Sequence, residues 1–239
     1  MSLQGKRVVV LGGSSGIGLA VAQAAARDGG AVVVVSSNKA RVDAAVASLP
    51  NGGEGHAIDL TDEAAVRDLF ADLGEFDHLV YTAAETLSLG PIAETDLMAA
   101  RKFFELRYWG AYTAAKYGAK SIRPGGSIVF TSGAAGARPR SGWSLATSIC
   151  AGMEGLTRAL AVELAPVRVN VVSPGVVRTP LWRDMSEADQ EALYKQSAET
   201  LLVGHVATPD DIAKTYVHLM EQTYSTGAVV TVDGGWVLI

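Results

Sequence analysis

At 239 residues, with 49% hydrophobic and 19% charged side chains, the chain is long enough to bury one substantial core. Its 20 basic and 25 acidic residues are scattered, so the net charge of -5 leaves no basic stripe for nucleic acid. Apolar runs broken by glycine or polar residues exclude a bilayer span, and a single cysteine, Cys150, excludes an intrachain disulfide. Met1 to Lys6 does not read as a secretory signal, so a reducing cytoplasmic setting is expected, with no membrane or nucleic-acid partner.

Lys6 to Leu11 predicts a buried strand and Ile17 to Asp28 a helix, stopped by Gly29-Gly30. Val32 to Val35 is the second strand, apolar on both faces as a parallel strand under helices should be. The alternation continues with a helix from Ala40 to Leu49, a strand from Gly55 to Ile58, a helix from Asp62 to Leu73 and a strand from His78 to Tyr81. Leu97 to Ile122 reads as one long helix whose aromatic residues belong to the core or a subunit interface. Arg123 to Gly126 reads as a turn, Ser127 to Thr131 as a strand, Thr147 to Leu164 as a helix and Val167 to Val172 as a strand, broken at Ser173-Pro174-Gly175. Pro209 to Met220 is a capped helix and Val229 to Val232 a last strand. Strands alternating with helices of this length predict a single α/β domain over residues 1–239, a Rossmann-like doubly wound parallel sheet with helices on both faces. Within it, the polar segment at about 180–205 is expected to form a lid.

Between the first strand and helix lies Gly12-Gly13-Ser14-Ser15-Gly16-Ile17-Gly18. Glycines at 12, 16 and 18 let the chain turn tightly and aim amides at a pyrophosphate lying on a helix N-terminus. The second strand ends without the acidic residue that would hold the ribose hydroxyls of NAD and repel the extra phosphate of NADP. Ser37, Asn38, Lys39 and Arg41 stand there instead, so NADP is expected in preference to NAD. Asp59 is placed to accept from the adenine amino group or to start the next helix. Neither paired histidines nor clustered carboxylates occur at metal-ligand spacing.

Together with Tyr81-Thr82-Ala83-Ala84, Asp59-Leu60, Ser132, Arg168-Val169-Asn170, Pro174-Gly175, Thr179 and Asp233-Gly234-Gly235, this glycine loop resembles the short-chain dehydrogenase/reductase family over essentially the whole chain. The resemblance implies a nicotinamide-dependent oxidoreductase acting on carbonyls or alcohols. It implies cofactor contacts from Gly12, Ser14, Ser15, Gly16, Ile17 and Gly18, from Asp59, Leu60, Thr82, Ala83 and Ala84, and from Pro174, Gly175, Val177 and Thr179. It also implies a symmetric homodimer or homotetramer, with the apolar end Gly235 to Ile239 buried at an interface.

Such enzymes use an Asn, Ser, Tyr and Lys set, the lysine and cofactor lowering the pKa of the tyrosine so that it can transfer a proton. Here Ser132 keeps the serine position, Arg107 falls at the asparagine position, and Ala146 and Cys150 fall where the tyrosine and lysine are implied. Neither a Tyr nor a Lys lies anywhere between Phe130 and Pro174, so sliding the alignment restores nothing. The remaining candidates for chemistry are Ser132, Arg107 as an anion binder or internal pair, Cys150 as an activated thiol or buried hydrophobe, and Tyr81 as an alternative phenol. Two functions compete: an NADP(H)-dependent oxidoreductase with a different proton route, and a non-catalytic NADP(H)-binding or regulatory protein on the same fold.

Overall fold

The computed structural model describes residues 3–239. Seven parallel strands form one sheet in the order β3-β2-β1-β4-β5-β6-β7. They are β1 (Arg7–Leu11), β2 (Ala31–Ser36), β3 (Glu54–Ala57), β4 (Phe76–Tyr81), β5 (Ile122–Thr131), β6 (Arg168–Pro174) and β7 (Val229–Val232). The fold is the expected Rossmann-like, doubly wound α/β sheet.

Alternation within each strand explains why the runs are apolar throughout. Val8, Val10, Val32, Val34 and Val80 face one layer of helices, while Val9, Leu11, Val33, Val35 and Leu79 face the other. The first layer holds α1 (Gly16–Arg27), α2 (Lys39–Ala47) and α8 (Pro209–Glu221); alanines along α1 let it approach the sheet closely. The second holds α3 (Glu63–Leu73), α5 (Ala111–Gly118) and α6 (Ser144–Glu163). α4 (Leu97–Phe104) and α7 (Glu187–Thr200) lie outside these layers' cores.

Three expectations need correcting. Leu97 to Ile122 is not one helix: a π-helical turn, Glu105–Gly110, separates α4 from α5, and Ile122 already belongs to β5. Arg123 to Gly126 is a bulge inside β5 rather than a free turn, since Phe76 pairs with Ile122 while His78 pairs with Ser127. β6 runs through Ser173 to Pro174, pairing with Thr231 and Val232, so no break occurs there. Proline is tolerated because its missing N–H faces a strand end.

Segment 180–205 opens with a 3-10 turn, Pro180–Trp182, followed by α7, and only the turn and the next residue, Arg183, border the main cleft. Trp236 is buried within its own chain against Ala134, Tyr194, Leu201 and Val206, whereas Leu238 is 78% exposed, so the C-terminal apolar residues are divided between the core and the surface. Among the described residues no helix is long and apolar enough to cross a membrane.

His78 sits inside β4 with its Nδ1 2.9 Å from Ser127 Oγ, and burial pushes its pKa down from 6.5 to about 4. Between those values the unfolded chain binds a proton that the native state does not, so stability falls as pH drops through this window and is unaffected by this group above it. Urea unfolding should therefore show a loss of roughly 1.4 kcal/mol per pH unit from this residue between pH 6.5 and 4. The His78→Asn variant should lack that component; an unchanged acid slope would refute the assignment.

Candidate functional site

β1 and β4 are adjacent but their chains leave the sheet in opposite directions, which opens a crevice at their carboxyl ends. The crevice encloses about 730 Å³. Its floor is a close backbone contact. Thr82 N and Oγ1 both donate to the Leu11 carbonyl, at 2.8 and 3.1 Å, and Gly12 N donates to Val35 O at 2.8 Å. A Cβ on Gly12 (φ 86°) would lie 2.5 Å from Ala83 N, and one on Gly18 would lie 2.3 Å from Gly12 O and 2.4 Å from Thr82 Oγ1.

α1 starts directly above this turn, with Ser15 as its N-cap residue making no side-chain capping bond. Gly16 has φ 53°, and a Cβ on it would meet Thr179 and Pro180 across the crevice at van der Waals distance. A glycine turn at a helix N-terminus, facing a loop across an open slot, fits a dinucleotide pyrophosphate.

Gly12, Ser14, Ser15, Gly16, Ile17, Gly18, Ser37, Arg41, Asp59, Leu60, Thr82, Ala83, Ala84, Pro174, Gly175, Val177 and Thr179 all line this crevice. Two expected cofactor residues do not. Asn38 spends its side chain as the N-cap of α2, accepting from Arg41 N at 2.9 Å, and Lys39 is paired with Asp43 one helical turn on, at 2.8 Å. The Arg41 guanidinium, at the same end, makes no ion pair among the described residues. Asp59 Oδ1 accepts from Thr61 N and Oγ1, closing a turn before α3.

At the other end Ala146 and Cys150 lie one turn apart on α6, both lining the crevice. Ser132, just beyond β5, donates to the Cys150 carbonyl at 3.1 Å and lies 3.3 Å from Glu154 Oε1. Burial raises the Cys150 thiol, outweighing nearby Arg107, which favours the buried-hydrophobe alternative for this residue over the activated thiol. The alternative-phenol expectation for Tyr81 fails: it is fully buried under the sheet, its hydroxyl donates to the Leu106 carbonyl, and burial lifts its pKa well above the usual value.

Arg107, within the π-helical turn, does line the crevice. Its partner is neither Glu105 nor a residue of the 180–205 segment but Glu85, immediately after the β4 turn. Arg107 Nη2 donates to the Glu85 carbonyl at 2.6 Å, and Nε stands 3.4 Å from Glu85 Oε2. Burial raises the Glu85 carboxyl and lowers the Arg107 guanidinium, each opposed by the charge of the other. Sequence reasoning missed Glu85; its only signal was its place one residue past the Tyr81 to Ala84 motif. It also missed Trp143, Trp182 and Trp236, which line the same end from three separate segments.

The family model described as enoyl-(acyl carrier protein) reductase matches residues 12–237, and the chain belongs to the short-chain dehydrogenase/reductase family. It is an NAD(P)-dependent oxidoreductase of that type. Among its relatives, the short-chain dehydrogenase/reductase ATR9 of Stachybotrys chlorohalonatus is 36% identical, with 98% of each chain covered. MalC of Malbranchea aurantiaca, described as a reductase/Diels-Alderase, is 33% identical; its structure superposes with a TM-score of 0.92 over 99% of this chain and 98% of that one. A small-chain dehydrogenase solved in complex with NADPH gives a TM-score of 0.87 at 33% identity, covering 98% and 99%.

The glycine contacts set a sharp expectation. Gly18→Ala should weaken NADP(H) binding at least a hundredfold in fluorescence titration, because backbone must move to admit the methyl group. Gly155→Ala, on the exposed side of α6 with open space around it, should leave binding unchanged. Equal behaviour of the two variants would show that the turn is not the cofactor cradle.

Proposed function

We propose that the chain transfers hydride between NADP(H) and a small organic substrate, with the proton following a route that uses no tyrosine–lysine pair. The observation that supports this most directly is the continuity of one crevice, with unpaired Arg41 at one end, the glycine turn between, and Ser132 with Arg107 at the other. The NADPH complex of a structural relative favours the same cofactor.

Ser37 and Arg41 are the residues to hold a 2′-phosphate; nothing acidic among the residues lining that end repels it except Asp59, which is engaged in its own turn. The dinucleotide supplies or accepts the hydride. Ser132 holds the proton at its hydroxyl, at the place left open by Ala146, and Glu154 stands behind it as a hydrogen-bond acceptor. Arg107, anchored on Glu85, keeps positive charge beside the reacting end and stabilises a developing oxyanion there. The Pro180–Trp182 turn closes the front of the site as part of a lid.

Two measurements test this. Arg41→Ala should weaken NADPH binding by roughly ten- to a hundredfold, the usual worth of a charge-assisted phosphate contact, and leave NADH binding within twofold. Loss of both equally would assign Arg41 no part in cofactor choice. Ser132→Ala should lower kcat by roughly 10²-fold or more with NADPH binding unchanged. Full activity in that variant would remove Ser132 from the proton route, and a wild-type protein that binds NADPH but consumes none across carbonyl, imine and activated-alkene substrates would favour the binding-protein reading.

A further inference from the structure

Of the four tryptophans, three converge on the substrate end of the crevice: Trp143 at the start of α6, Trp182 in the turn after β6, and Trp236 after β7. They come from distant parts of the chain, so local sequence does not explain their meeting. We propose that they form a rigid aromatic slot that selects a flat, aromatic substrate, a proposal that rests on the crevice being the cofactor and substrate site.

The slot stands beside the reacting end. Trp143 lies one helical turn before Ala146, and Trp143 and Trp236 pack with Ala134, two residues after Ser132. The small side chain at 146 leaves room between the tryptophans and Ser132, all four of which border the same space. Leu87, Leu89 and Ile149 extend the apolar lining.

Each indole is held in place by contacts outside the crevice or with its neighbour. The Trp143 and Trp236 rings stack, 5.7 Å between centres and 18° from parallel. Arg140 lies over both, 5.7 and 4.9 Å from their centres, and Arg138 lies over Trp236 while donating to its carbonyl at 2.6 Å. Trp182 donates its Nε1–H to the Val177 carbonyl at 2.9 Å. Trp236 is almost fully buried and acts as a floor, whereas Trp143 and Trp182 remain partly open. Aromatic walls fixed in advance hold a flat ring by offset or edge contacts, with little conformational entropy lost on binding.

The test compares 2-naphthaldehyde and indole-3-carbaldehyde with cyclohexanecarbaldehyde, a saturated aldehyde. Binding is measured by titration calorimetry and by quenching of tryptophan fluorescence, on the protein alone and with NADP⁺ present. The aromatic aldehydes should bind at least tenfold more tightly than the saturated one. Trp143→Ala and Trp182→Ala should each erase roughly a factor of ten of that preference, Trp143→Phe should restore most of it, and Trp109→Phe should leave it intact. NADP(H) titration of the Trp143 variants and far-UV circular dichroism of the Trp182 variant should match wild type, which shows that the fold persists. Equal binding of aromatic and saturated aldehydes, or a preference insensitive to Trp143 and Trp182, would overturn the slot. Failure of NADP(H) to bind the wild-type protein would instead overturn the cofactor reading, and the measurements on the protein alone would still decide the slot.

Discussion

The arrangement depends on one close contact, where the turn after β1 is pressed against the end of β4. The Leu11 carbonyl takes both the N–H and the hydroxyl of Thr82, and there is no room for a side chain at Gly12 or Gly18. Sheet topology alone would open a crevice at this point, because the winding reverses between β1 and β4. The contact gives the crevice a floor and fixes the start of α1 over it. The distances from Arg41 on one side and Ser132 on the other are then set by strands that cannot shift without unpairing, since both faces of each are buried.

Much of this was legible because it is written in local pattern. Valine runs with both faces apolar, a glycine pair ending the first helix, and a glycine turn between the first strand and helix predict the sheet and the position of the crevice closely. Lys39 shows what such reading leaves out: its charge suggested a phosphate partner, and Asp43, four residues on, pairs with it along α2. Asn38 similarly has a role the sequence reading did not assign, capping α2 through its Oδ1. The convergence of Trp143, Trp182 and Trp236 was not legible, because it joins the ends of three elements distant in sequence.

The long helix was misread for a tertiary reason. Nothing in Glu105 to Gly110 breaks a helix by composition, but the Tyr81 hydroxyl comes up from β4 beneath it. A Cβ on Gly110 would lie 2.2 Å from that hydroxyl, and the Leu106 carbonyl accepts its proton. The π-helical turn, wider than an α-helix, accommodates both contacts. Tyr81, which reads in sequence as a candidate phenol, thus acts on the site at one remove: it shapes the turn on which Arg107 stands, and Leu106 N in turn donates to Glu85 Oε1 at 3.1 Å.

Position 150 follows from the same geometry. The Ser132 to Gly136 turn lies against Cys150 so closely that a Cβ on Gly133 would be 3.1 Å from its Sγ, and one on Gly136 would be 3.1 Å from its Cβ. Arg107 acts on the same thiol electrostatically from the π-helical turn. A second cation at 150 would add a like charge beside Arg107, in a setting where burial already weakens the guanidinium. The positive charge at this end of the crevice is thus carried by the π-helical turn and anchored on Glu85, while α6 lines it with uncharged side chains, Ala146, Ile149 and Cys150.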